Sequence, residues 1–230
     1  MHRNCLLAAC LFVCGAVWLA SAPLLEATPI APGDVSVSLS GTTSAASPDL
    51  AGVVLDDTLR PFTIVDGSGN VILSGNVQDR VARSDNLGTL IFAPRLRDLD
   101  NHGTRSFIWG MRLEGFGDFS TDIDFRTDSL GDVGPNDVTR SGGSGDQVFF
   151  HYDPNTILPP DEGLFLSVLT DAPSYAEVGW ITIAAQDGVS GGLYGTTLIG
   201  TNAPVPEPST LLLAAVALLC LAFCARRPRN

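Results

Sequence analysis

The sequence predicts an all-β protein, an antiparallel β-sandwich or jelly roll, flanked by two hydrophobic ends. Three observations predict it. Between residues 28 and 203, short apolar or alternating runs recur and a helical period is hard to find. Gly, Asp, Asn and Pro interrupt these runs every 10 to 15 residues, the spacing of strands joined by turns. All five cysteines, Cys5, Cys10, Cys14, Cys220 and Cys224, lie in the two ends. The middle therefore has neither a disulfide framework nor a thiolate metal centre, and packing must hold it together.

In chain order, residues 1–27 are expected to be a signal peptide. Met1-His2-Arg3-Asn4 is a short positive start, residues 5–19 are apolar, and Ala20-Ser21-Ala22 has the small-x-small form of a cleavage site. Pro23 disfavours a cut directly after Ala22, so a cut after Ala27 is the alternative. Leu7-Ala8-Ala9-Cys10 resembles a lipobox, but the apolar run ahead of it is too short for one.

Residues 28–203 are the expected sandwich, roughly 175 residues and enough for one core. A hairpin is predicted where 62–65 and 71–73 flank Asp66-Gly67-Ser68-Gly69-Asn70, residue types that tolerate positive φ. Further strands are expected at 88–93, 105–113, 120–125, 147–152, 164–170, 178–185 and 193–199. Weaker patterns mark 35–39, 52–55 and 77–82, and the Ser-, Thr- and Ala-rich stretch 35–49 has the composition of a loose arm. Trp109 and Trp180 sit within apolar strands and are expected in the core.

This middle segment carries 23 acidic residues against 9 arginines, a balance near −14, and the chain has no lysine. Such a surface repels phosphate backbones and argues against nucleic acid as a partner. No side chain can form a lysine Schiff base.

The candidate chemical motifs are better explained structurally. Gly188-Val189-Ser190-Gly191-Gly192 matches the G-x-S-x-G nucleophile elbow, which needs a helix after the serine. The next residues, Leu193-Tyr194-Gly195-Thr196-Thr197, are β-like, so a glycine-rich turn is expected. Asp66-Gly67-Ser68-Gly69-Asn70 begins like a calcium loop but lacks its later ligands. Asp122 and Asp124 alternate by two and should share one face of a strand, where a Ca²⁺ would relieve their repulsion. Asp98, Asp100 and Asn101 suggest a second acidic loop. His102 and His151 have no partner at metal-ligand spacing, and Asp153 is the neighbour expected to pair with His151. No acid–base set for catalysis emerges, so the domain is expected not to be an enzyme and to need no cofactor, Ca²⁺ excepted.

Residues 204–230 close the chain. Val205-Pro206-Glu207-Pro208-Ser209 precedes an uncharged apolar run at 211–225, then Arg226, Arg227 and Arg229. As a helix the run measures about 22 Å, short for a hydrocarbon core of about 30 Å. Arginines at its end would hold that end in the cytoplasm and snorkel to extend its reach. Two prolines around Glu207 keep the preceding segment extended at the membrane face.

These three parts in this order resemble the PEP-CTERM sorting signal of Gram-negative bacteria. The resemblance implies recognition by an exosortase, processing near Pro206-Glu207-Pro208, and delivery from the inner membrane to the cell surface or an exopolysaccharide matrix. The implied partners are signal peptidase and the general secretion machinery, the exosortase, and the membrane before processing. Diffuse features of the middle also resemble PEP-CTERM ectodomains with no assigned activity. A structural or adhesive surface protein is the expectation. The alternative is a carbohydrate-binding module for exopolysaccharide, with Tyr175, Tyr194 or the acidic loops gathered on one exposed face.

Overall fold

A computed structural model describes residues 27–206. The expected signal peptide, but for Ala27, lies outside the described residues. So do Glu207, Pro208, Ser209, the apolar run and the terminal arginines. Among the described residues no helix is long and apolar enough to cross a membrane.

Thirteen strands form among these residues. They are β1 (Thr28–Pro29), β2 (Val37–Ser38), β3 (Gly52–Val65), β4 (Val71–Ser84), β5 (Leu90–Phe92), β6 (Arg95–Asp100), β7 (Phe107–Glu114), β8 (Thr121–Phe125), β9 (Asp137–Arg140), β10 (Gln147–His151), β11 (Leu166–Thr170), β12 (Ser174–Gln186) and β13 (Leu193–Val205). One sheet runs β1-β8-β11-β5-β4-β3, with β6 also on β4. The other runs β13-β12-β7-β10-β9-β2. Every strand pairing within these sheets is antiparallel.

The sheets share one core, because alternate residues of each strand are apolar and face the opposite sheet. Ile64, Val77, Val81, Ile123 and Val168 come from the seven-stranded sheet; Ile108, Met111, Val148, Phe150, Ile181 and Ile183 come from the six-stranded one. Phe92 and Phe116 meet edge to face across 5.3 Å. A second, smaller cluster lies on the outer face of the seven-stranded sheet, where Leu50 packs with Ala82, Ile91, Ala93, Phe165 and Leu169.

The predicted hairpin forms, and its strands run longer than expected. The patterns at 52–55 and 62–65 merge into β3, and those at 71–73 and 77–82 into β4. Pro61 is tolerated because β3 is a sheet edge, where one row of backbone donors is unpaired. The turn is organised by Asp66, whose carboxylate accepts the N–H groups of Ser68 and Asn70 at 2.8 Å each. Gly69 adopts φ +86 there, a left-handed conformation that side chains resist.

Three strands were not expected: β1, β6 and β9. Asp98 and Asp100 belong to β6 rather than to an acidic loop, and only Asn101 lies in the turn after it. The arm at 35–49 is also anchored. Val37–Ser38 pairs with β9, Thr42 and Ser47 are buried, and Ser44 donates through its N–H and hydroxyl to Asp128 at 2.8 and 2.7 Å.

A buried guanidinium ties the two sheets together at one end. Arg140 on β9 donates to the carbonyls of Gly145, Ile30, Phe116 and Phe119 and to the Thr121 hydroxyl, using all five of its N–H groups. Its burial without a carboxylate in hydrogen-bond contact pushes its pKa down from the ordinary arginine value.

Candidate functional sites: the end of β13 and the exposed sheet

The last strand leads directly into the Pro-Glu-Pro segment. β13 stays paired with β12 as far as Val205, opposite Ser174, and Pro204 is buried opposite Tyr175. The strand thus runs past the expected 193–199 and through the expected domain limit at 203. Pro206 is exposed immediately after it.

A polar clamp fixes this strand to the other sheet. Asp79, buried on β4, accepts the N–H of Asn202 at 2.9 Å and the Arg60 Nε–H at 2.8 Å. Arg60 also binds Glu177 on β12 at 2.7 Å, and the Asn202 amide donates to Asp56 at 3.2 Å. Burial pushes the Asp79 carboxyl above its ordinary range, partly offset by the hydrogen bonds from Asn202 and Arg60. These groups join β3, β4, β12 and β13 just before the Pro-Glu-Pro segment.

The outer face of the six-stranded sheet is the second site. Strand register lays its outward residues in cross-strand rows, about 7 Å apart along the strands. One row holds Ile199, Trp180, Glu114 and Gln147; the next holds Thr197, Thr182, Arg112, Phe149 and Thr139. Trp180 faces solvent, 48 % exposed, beside exposed Val178 and Ile199. This corrects its expected place in the core: Ile181 and Ile183 take the inward positions of β12. Trp109 is partly buried and lies edge to face with Phe149 at 5.5 Å, and Phe149 meets His151 at 4.2 Å. Gly110 makes room for this row, since a Cβ there would sit 2.5 Å from the Phe149 ring.

Beside Trp180 a groove of about 250 Å³ is lined by Glu114, Gly115, Asp146, Val178 and Trp180. Arg112 holds Glu114 at 2.8 Å, and Gln147 donates to the other Glu114 oxygen at 3.3 Å. Asp146 accepts the Gly117 N–H at 3.2 Å through one oxygen. Donors and acceptors therefore border an exposed indole. The signal available in sequence was the polar residue opposite each outward aromatic, but pairing register was needed to see it.

The other expected site residues fall elsewhere. Asp122 and Asp124 do share the outward face of β8, since Thr121, Ile123 and Phe125 point inward. Asp124 is buried and accepts the N–H groups of Gly41 and Phe125 at 3.1 and 2.8 Å, and burial raises its pKa. Among the described residues, no group of three or more His, Cys, Asp or Glu is gathered to hold a metal. His151 faces Asp137 at 3.9 Å rather than Asp153, and His102 bonds the Ser74 hydroxyl at 2.8 Å. Tyr175 and Tyr194 are partly buried against the core, so neither presents the free aromatic face expected of a ligand platform.

Ser190 sits in the turn between β12 and β13 and donates its hydroxyl to Asp187. The turn is followed by a strand, not the helix of a nucleophile elbow. On the outer face of the seven-stranded sheet, a pocket of about 120 Å³ includes Arg80 and Arg126. Both are already paired, with Asp57 at 2.7 Å and Asp128 at 2.6 Å.

Residues 204–227 match the PEP-CTERM protein-sorting motif, from the end of β13 onward. The motif marks an exported protein sorted by an exosortase. No curated protein and no solved structure matches the chain.

Proposed function

We propose that this chain is a surface or matrix protein whose β-sandwich is delivered outside the cell and released or transferred by exosortase processing near Pro206-Glu207-Pro208. The domain then acts as a structural or adhesive component without catalysis. The observation that carries this reading is the sorting motif beginning on the last strand of the fold. Signal peptidase removes the amino-terminal segment, and the apolar run at 211–225 holds the domain at the inner membrane until processing. Replacing Pro206, Glu207 and Pro208 together by alanine should leave the domain in the membrane fraction of the host. Normal release of that variant would refute the reading.

A second reading, favoured by exposed Trp180 on the outer face of the six-stranded sheet, is that the domain binds exopolysaccharide. Co-sedimentation of the protein with host polysaccharide tests it. A chelator arm in the same assay shows whether Ca²⁺ assists.

A further inference from the structure

We infer that the groove between Trp180 and Asp146 is a binding subsite for a neutral polysaccharide chain. The inference rests on the reading of the domain as an exopolysaccharide binder and assigns that reading a place and a ligand class.

The platform is Trp180. A large indole is ordinarily worth burying, yet here it is 48 % exposed, with Val178 at 61 % and Ile199 at 75 % beside it. The apolar platform is small and is bordered on one side by Glu114, Asp146 and Gln147. A protein partner ordinarily needs about 800 Å² of contact on each side, with an apolar centre. A pyranose ring needs much less. The C–H groups on one of its faces stack on an indole, and its hydroxyls require donors and acceptors at the edge.

Both kinds of partner are present. Glu114 and Asp146 offer carboxylate oxygens, while Arg112 and Gln147 offer N–H groups. The Arg112–Glu114 pair at 2.8 Å neutralises itself, and the Asp146 carboxylate leaves this edge polar and mildly acidic. One row further along the same face, Thr197, Thr182 and Thr139 add hydroxyls on either side of Arg112 and Phe149. A polyhydroxylated chain can follow these rows across the sheet.

Charge decides among sugar polymers. Nine arginines against 23 acidic residues over 28–203 give a field that repels uronate- or phosphate-bearing chains. A neutral chain incurs no such penalty.

The test uses the full chain in detergent and three neutral probes: hexasaccharides of β-linked glucose, mannose and N-acetylglucosamine. Polygalacturonate is the anionic arm. Titration calorimetry and tryptophan emission should show binding of at least one neutral probe. Trp180→Ala should weaken it at least about tenfold, and Trp180→Phe should retain most of it. Both variants should stay folded, with the thermal midpoint of Trp180→Phe close to wild type and that of Trp180→Ala only modestly lowered, because about half of the side chain is exposed. If a neutral probe binds wild type and Trp180→Ala equally, this site is wrong while a saccharide-binding domain stands. If only polygalacturonate binds, the inference fails while a saccharide-binding domain stands; if no probe binds, the inference and the exopolysaccharide reading both fail. Release of the domain from the membrane is independent of every arm.

Discussion

Asp79 accepts the backbone N–H of Asn202 at 2.9 Å, two residues before the sorting motif begins. That bond, with the Arg60–Asp79 pair, fastens the last strand to the opposite sheet. The Pro-Glu-Pro segment therefore begins directly on folded structure: Val205 is still in the ladder and Pro206 is the exposed residue that follows it. An enzyme acting near Pro206-Glu207-Pro208 must work close against the β12–β13 edge.

Removing the Asp79 carboxylate leaves the Arg60 guanidinium and the Asn202 N–H short of a partner. Asp79→Ala should cost about 2–4 kcal/mol in urea unfolding. The strand end should also exchange its amide protons faster than the rest of β13.

The pH dependence of this clamp has a definite sign. The folded pKa of Asp79 is raised by burial, so the folded state holds that proton more tightly than the unfolded chain. The stability contributed by that tighter proton binding is complete below the unfolded value of about 3.9 and is lost as pH rises through the folded value. Asp128 behaves oppositely. The hydrogen bond from Arg126, aided by Ser44, holds its carboxyl well below the ordinary range. Its contribution is present above about pH 3.9 and lost as pH falls toward the folded value. Asp128→Asn should therefore flatten the acid limb of the stability profile, while Asp79→Asn should flatten the slope above about pH 4.

Arg140 serves as an uncharged-partner staple, and its loss cannot be repaired by an apolar chain that merely fills the space. Arg140→Met would take the guanidinium donors from the carbonyls of Ile30, Phe116, Phe119 and Gly145, leaving Ile30 the Thr121 hydroxyl and Phe116 the Phe119 N–H. A loss of at least about 3 kcal/mol is expected, read from the midpoint of denaturant unfolding. Arg140→Lys should recover only part of it, because three donors replace five.

Gly110→Ala would put a methyl group 2.5 Å from the Phe149 ring. Phe149 must then leave its place between Trp109 and His151. A cost of about 1–3 kcal/mol and a change in the Trp109 near-ultraviolet signal are expected.

Much of the fold was legible because apolar alternation survives in the central strands. The 62–73 hairpin, β7, β10 and β12 all obey it. β6 was hidden because Asp98 has φ +53 beside a register shift, which separates inward Leu96 and Leu99 by three residues instead of two. β9 was hidden because one of its inward residues is Arg140, and no composition rule places a guanidinium inside. Trp180 was misjudged because an apolar run does not say which parity faces the core. The sorting motif was legible in full, since its meaning lies in the order of local features. The groove beside Trp180 was not, because its residues come from β7, β12 and the approach to β10.

The most direct measurement is the intact mass of the protein recovered from its native host. The account predicts a species that has lost Arg226, Arg227 and Arg229 and ends near Pro206-Glu207-Pro208, with the whole of β13 retained. A wild-type species that still carries the three arginines would contradict it, and the domain would then be a permanently anchored one.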